Sequence, residues 1–363
     1  MSILRDLLSK AVELGASDIH LKPNQDPFFR VSGRLVESGF APLSRDNLET
    51  IVKDILPPHL EESFNDEHEA DFSYDEEGIG RFRTNIFMAQ YMPAVVMRYV
   101  KTSVPSFADL GLPDMLSKLA TAPRGIIILT GTTGSGKSTT LAAMIQQINR
   151  TERRRIITLE DPVEYIFPDD QSLITQREIG LDTVSFQAAL KRVMRQDPDV
   201  IMIGEMRDGL SFMAALAAAE TGHLVLTTLH AGNAAQTIFR ILDLFPATER
   251  DQIRMSIGAN MHAIVCQRLI PAVRGGMVPA CEIMVNTSTV RKLLFKNQLD
   301  VLPAAIETGE EDGMQTFNQH IYKLVKSGTI SEAEGMENAS NPEQLRMNLQ
   351  GIFLDEGKRI LAV

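Results

Sequence analysis

Apolar residues near the start of the chain fall at Ile3, Leu4, Leu7, Leu8, Ala11 and Val12, which share one side of a 3.6-residue helix, while Arg5, Asp6, Lys10 and Glu13 interrupt any apolar run. The spacing predicts a helix docked on a core, and the charges argue against the apolar centre of a signal peptide. Short runs at residues 19–21, 28–36, 80–87 and 94–100 predict strands, and residues from about 46 to 64 predict a helix. Pro27, Ser32 with Gly33, Pro57 with Pro58, and Pro93 mark turns between these pieces. Residues 1–100 therefore read as a small α/β unit. Residues 101–113, KTSVPSFADLGLP, read as a connector and candidate hinge in which Pro105 and Pro113 limit the backbone.

From residue 114 the pattern changes. Runs at 126–129, 156–159, 200–203 and 224–228 are short and apolar, and they alternate with helical stretches such as 186–195 and 210–220. That alternation predicts a mostly parallel sheet with right-handed crossovers, whose ligand chemistry gathers at the strand C-terminal ends. The tail, residues 250–363, reads as mainly helical. The expected class is α/β, divided into residues 1–100, a linker at 101–113, and a second domain at 114–363.

The chemistry begins at the end of the first of these buried runs. Residues 131–138, GTTGSGKS, match the spacing G-x-x-x-x-G-K-[ST] between an apolar strand and a helix at about 141–148. Small residues let consecutive backbone N–H groups curl around a polyphosphate, the helix N-terminus adds positive potential, Lys137 supplies a point charge, and Ser138 a hydroxyl for Mg2+. The candidate nucleotide contacts are Gly131, Thr132, Thr133, Gly134, Ser135, Gly136, Lys137, Ser138 and the adjoining Thr139. A glycine-rich turn without a ligand is the bland alternative.

Hydrolysis of a triphosphate also needs a carboxylate or polar group to orient water and hold the metal shell. DVIMIGE, residues 199–205, ends an apolar strand in Glu205, which would emerge beside the phosphate loop and hold Mg2+ or a water; capping the next helix is the alternative. EDPVE, residues 160–164, sets three carboxylates around Pro162, and reads equally as a solvated acidic turn. His223 and His230 bracket the strand in GHLVLTTLH, and His230 could donate to a γ-phosphate. Arg81 and Arg83 in GRFR share one face of a strand, with Phe82 on the other, and suit phosphate recognition as well as they suit an exposed charged face; Arg98 is a third candidate. ERRR at 152–155 lacks aromatics and reads as solvated surface.

Composition narrows the partners. The 363 residues are 44% hydrophobic and 23% charged, enough for two domains, and a net charge of −11 speaks against nucleic acid as the main ligand. Two cysteines, Cys266 and Cys281, are too few for a disulfide framework or a four-cysteine zinc site, and read as core or interface residues. No apolar stretch reaches the 18 residues that span a bilayer, so the expectation is a cytoplasmic protein working against a membrane partner.

Taken together the motifs resemble the retraction ATPases of type IV pili, the PilT and PilU proteins of the secretion ATPase superfamily. The resemblance covers nearly the whole chain: GASDIHL at 15–21, GIGRFR at 78–83, ITLEDPVEY at 157–165, TQREIGLDT at 175–183, DPDVIMIGEMRD at 197–208, TGHLVLTTLH at 221–230 and GMQTFNQ at 313–319. It implies an N-terminal PAS-like domain, a RecA-like P-loop ATPase domain with a helical C-terminal region, and a homohexameric ring binding ATP and Mg2+ between the two domains and near the neighbouring subunit. It also implies roles: Lys137 and Ser138 as Walker A residues, Glu164 as the catalytic carboxylate of the acidic box, Glu205 as the Walker B glutamate, and His223 and His230 as the His box. Arg81, Arg83 and Arg98 would reach nucleotide from the N-terminal domain. The output would be movement, acting on the inner-membrane pilus platform protein from the cytoplasmic face, alone or with a paralogous retraction ATPase.

The chain departs from the family pattern at TVRKLLFKN, residues 289–297, where an AIRNLIRE-like helix is common, and at Asn318, which replaces a usual Asp and reads as a surface detail. LHAGNA and VNTS lean towards PilU, the phosphate loop towards PilT. The nearest rival is an assembly or type II secretion ATPase; those usually carry extra N-terminal sequence and a four-cysteine zinc insert, whereas here the motifs start at residue 15. A nucleotide-gated accessory ring beside a partner motor is a further alternative, opposed by the presence of Glu164 and Glu205.

Overall fold

The computed structural model describes residues 3–353 apart from 32 and 102. Met1 and Ser2 before the first helix, Ser32 of the predicted turn, Thr102 of the connector and residues 354–363 of the tail lie outside the described residues. Two compact units are present: Met1–Ser103 together with Pro162–Ile166, and Val104–Asp161 together with Phe167–Val363.

The first unit holds α1 (Ile3–Glu13), β1 (Ala16–Leu21), β2 (Phe28–Val31), β3 (Arg34–Glu37), α2 (Arg45–Ile55), α3 (Glu61–Glu67), β4 (Glu69–Glu76), β5 (Gly80–Ala89) and β6 (Met92–Tyr99). The strands form one antiparallel sheet in the order β3-β2-β1-β6-β5-β4. α1 buries Leu4, Leu7, Leu8 and Ala11, the face its spacing predicts, while Ile3 stays exposed. Arg5 pairs with Glu76, tying this helix to β4.

Two expectations change here. The predicted helix over 46–64 is broken: α2 ends at Ile55 because Leu56, preceding Pro57, is driven to extended backbone (φ −67°, ψ 120°), and α3 starts afresh at Glu61. β4 is an additional strand. Its sequence, EADFSYDE, alternates Ala70 and Phe72 inward with acidic and hydroxyl residues outward, a period of two that its charge conceals.

The second unit contains α4 (Phe107–Leu110), α5 (Met115–Ala120), β7 (Gly125–Thr130), α6 (Lys137–Thr151), β8 (Arg155–Glu160), β9 (Leu173–Glu178), α7 (Phe186–Val193), β10 (Val200–Ile203), α8 (Gly209–Glu220), β11 (Leu224–Leu229), α9 (Ala234–Asp243) and α10 (Arg250–Asn260). β12 (Met261–Pro271), β13 (Met277–Val285), α11 (Ser288–Phe295), α12 (Leu302–Glu307), α13 (Phe317–Lys326), α14 (Glu332–Asn338) and α15 (Pro342–Leu349) complete it. The sheet order is β13-β12-β7-β11-β10-β8-β9, parallel except for β13. β7, β10 and β11 are buried along their whole length, as strands covered by helices on both faces must be.

The tail is less helical than its sequence suggests, because β12 and β13 form a long hairpin within it. Gly275 and Gly276 close the turn with φ of 87° and 77°, a backbone that glycine adopts without strain. Asn318 is also not a surface detail: it is buried, its amide donates to Asn341 O at 2.7 Å and Gln344 Oε1 at 3.2 Å, and its oxygen accepts from the Ser340 and Asn341 N–H groups. No helix among the described residues is long and apolar enough to cross a membrane.

Candidate functional site

β7 runs straight into the glycine-rich loop and α6 starts at its end. Gly131, Gly134 and Gly136 take φ values of 152°, 79° and 85°. Space forces glycine at Gly131, where a Cβ would collide with the Gln267 carbonyl and lie 2.5 Å from Ser135 Oγ, while at Gly136 the positive φ favours glycine and a Cβ would lie 2.8 Å from Gln267 Nε2. Gly136 is the N-cap of α6, and no side chain caps that end, so the first N–H groups face the loop without a side-chain acceptor. The buried Lys137 donates to the carbonyls of Gly131 at 3.0 Å and Thr132 at 2.9 Å, folding the loop around its own ammonium. Thr132, Thr133, Gly134 and Ser138 are exposed, Thr139 is half-buried, and Ser135 Oγ is buried with no hydrogen-bond partner among the described residues.

Parallel pairing brings the other candidates to the same edge of the sheet. Thr130 at the end of β7 pairs with Leu229 of β11, and Thr227 of β11 pairs with Ile203 of β10, so the loop, His230 and Glu205 follow three consecutive strands. His230 comes from the strand between the other two. Glu205 Oε1 lies 3.2 Å from His230 Nε2, and its other oxygen accepts from Arg207 at 2.9–3.0 Å. The backbone under Glu205 is fixed on both sides: Gly204 N donates to Leu159 O at 2.8 Å, Thr228 Oγ1 donates to Gly204 O at 2.7 Å, and Met206 N to Thr228 O at 3.1 Å.

Other predicted residues are placed differently. His223 precedes β11, so it stands at the opposite end of that strand from His230, and six extended residues put about 20 Å between them. Its Nδ1 faces Ala218 O at 2.9 Å and Thr221 Oγ1 at 3.1 Å, contacts that place it at the end of α8. Glu160, first of the acidic box, is buried at the end of β8 and accepts from Thr158 and Gln176. Glu164 is exposed and belongs with the first unit.

Within that first unit Arg81 and Arg83 share a face of β5 while Phe82 is buried behind them, and Arg83 sits opposite Arg98 of β6. Arg98 donates from Nε to Asp18 Oδ1 at 2.7 Å, and Asp18 also accepts from Ser17 at 2.7 Å. Burial alone would raise the Asp18 carboxyl, but those two hydrogen bonds and the Arg98 charge hold it below the usual range.

Two polar residues that the sequence reading passes over support the site from β12 and β13. Gln267, 2% exposed, contacts the phosphate loop through both side-chain and backbone atoms. Glu282 is buried and accepts at 2.8 Å from the N–H of Ala234, the first residue of the helix that follows His230. Burial pushes its carboxyl up despite that bond and the Arg268 charge. For Glu282 the available signal was a lone carboxylate in the apolar run MVPACEIMV; Gln267, beside Arg268, gave no such signal. Cys266 and Cys281 are buried and free, and among the described residues no cluster of three His, Cys, Asp or Glu could hold a metal.

Comparison with known proteins places the chain in a family. The profile of the family described as type II/IV secretion system protein matches residues 1–341. The type IV pilus retraction ATPase PilT of Pseudomonas aeruginosa is 38% identical over 340 residues, covering 94% of this chain and 99% of its own length. The type IV pilus ATPase PilU of the same organism is 40% identical over 345 residues, covering 95% and 90%. A crystal structure of the pilus retraction motor PilT with bound ADP superposes with a TM-score of 0.88 at 39% identity, over 95% of this chain and 99% of that one.

Proposed function

Because this chain belongs to the type II/IV secretion system protein family, we propose that it is a P-loop ATPase that turns ATP hydrolysis into the retraction of a type IV pilus. The observation that carries this reading is the shared sheet edge on which a phosphate loop and the Glu205–His230 pair follow three consecutive parallel strands. The retraction role itself rests on the relatives, PilT above all.

The residues fit Mg2+ and ATP. The glycine cradle that a Cβ would fill, the buried unpartnered Ser135 Oγ and the exposed Ser138 hydroxyl together suit a polyphosphate with its metal. Ser138 and Glu205 would hold the ion, which when bound neutralises phosphate charge. Backbone N–H groups of residues 131–137 grip the phosphates, and Lys137 exchanges its loop carbonyls for phosphate oxygens. Glu205 orients and deprotonates the attacking water. His230 takes its position from Glu205 and would turn its Nε2–H from that carboxylate to the terminal phosphate when nucleotide binds. Arg81, Arg83 and Arg98 are proposed as further nucleotide contacts, and Glu164 as the catalytic carboxylate of the acidic box. In this reading the protein works as a homohexamer at the cytoplasmic face of the inner membrane, against the pilus platform protein and beside a paralogous ATPase, and closure around ATP is the movement it delivers.

Deleting the gene in its source organism tests the direction of work. Cells that keep surface pili but lose twitching match retraction; cells without pili would match assembly instead.

A further inference from the structure

Gln267 lies on β12, directly after Cys266, which pairs with Thr130 at the end of the phosphate-loop strand. Its side chain is hydrogen-bonded at both ends. Nε2 donates to the Ser135 carbonyl at 2.7 Å, and Oε1 accepts from the Thr140 hydroxyl of α6 at 2.8 Å. The assignment of oxygen and nitrogen is unambiguous, because the Ser135 carbonyl can only accept. The backbone of the same residue also abuts Gly131, at the other end of the loop.

We propose that Gln267 is a positioning residue for phosphate binding: by holding the Ser135 carbonyl against β12, it turns the Gly136 N–H into the concave side of the loop. The step follows from peptide planarity. In a trans peptide the C=O and the following N–H point in opposite directions, so fixing Ser135 O towards β12 fixes Gly136 N–H away from it. Gly136 has φ 85°, where glycine alone imposes no preference, and the loop has no side-chain cap to hold that peptide plane. Thr140, one helical turn after Gly136, locks the amide from the other side. The inference rests on the nucleotide reading given above and names a residue outside the P-loop motif that sets its geometry.

The test uses the full-length protein and Mg·ADP as probe, titrated by calorimetry, with Mg·ATP turnover and thermal unfolding measured in parallel. Gln267→Met keeps the volume and removes both hydrogen bonds. We expect the Kd for ADP and the KM for ATP to rise together by about tenfold or more, with kcat falling less, because the N–H contacts substrate and product alike. Gln267→Glu keeps the shape but sets a carboxylate oxygen against the Ser135 carbonyl, and the expected loss is larger; it also serves if Gln267→Met fails to fold. A folded variant whose ADP affinity stays within twofold of wild type, or which loses only thermal stability, overturns the proposal. Lys137→Ala separates this from the nucleotide reading. If Lys137→Ala abolishes ADP binding and the Gln267 variants do not weaken it, the positioning role alone fails; if Lys137→Ala binds ADP normally, the nucleotide reading fails with it.

Discussion

Glu205 Oε1 and His230 Nε2 lie 3.2 Å apart, joining the ends of two adjacent parallel strands, β10 and β11. His230 follows the strand next to β7, and Glu205 the strand beyond it, so both share the sheet edge of the phosphate loop. A carboxylate that orients an imidazole also fixes which ring nitrogen carries the proton, so these two residues should act as a unit.

Glu205→Gln is expected to lower ATP turnover by about a hundredfold or more and to leave ADP affinity within about threefold. His230→Gln should cost at least about tenfold. Because the two act together, the double variant should be no slower than about threefold below the worse single, as measured by phosphate release. Multiplying losses would mean that the pair is not coupled.

Gly131→Ala tests the loop against its neighbour strand. A methyl group there meets the Gln267 carbonyl, a backbone atom that cannot swing aside, at a φ of 152°. The expected result is a loss of ADP affinity of at least about thirtyfold in a protein whose far-UV circular dichroism is unchanged. Retained affinity would show that the loop can relax.

His320 predicts the acid response of the second unit. It is buried on α13, its Nδ1 accepts from the Cys281 N–H at 2.8 Å, and burial, with the nearby Lys323 charge, lowers its pKa from 6.5 to about 4. The neutral ring is the folded form. The unfolded chain takes up a proton below 6.5 while the folded chain does so only near 4, so this contribution, about 2–3 kcal/mol, is complete above pH 6.5 and lost as pH falls towards 4. In urea unfolding followed from pH 7 to pH 4, His320→Gln should show a shallower decline than wild type; parallel curves would contradict the assignment.

Asn318→Asp should destabilise the junction of α13 with α15 by roughly 1–3 kcal/mol, since a carboxylate cannot donate to Asn341 O or Gln344 Oε1 and is buried without a cation among its hydrogen-bond partners. Chemical denaturation at pH 7 measures it. An unchanged midpoint would mean that the junction opens at little cost.

Where local sequence decides local structure, the chain was legible. The phosphate loop, the buried strands and the ends of β10 and β11 follow from short-range signals, and the parallel topology then brings Glu205 and His230 to one edge. Gln267 escapes such a reading because its partners, Ser135 and Thr140, lie 132 and 127 residues away. His223 and His230 bracket β11, as their spacing suggests, so they stand a strand's length apart. β12 and β13 were hidden because mostly apolar segments of nine to eleven residues suit a buried helix as well as a strand, and only the pairing of β12 with β7 and of β13 with β12 decides it. Nor does the linear pattern show that Pro162–Ile166, with Glu164, groups with the first unit.

ATP hydrolysis at the loop of residues 131–138 is measured by steady-state phosphate release from the purified protein beside Lys137→Ala. Turnover should depend on Mg2+ and fall by about a hundredfold or more in the variant. Wild-type turnover no faster than that of Lys137→Ala would contradict it.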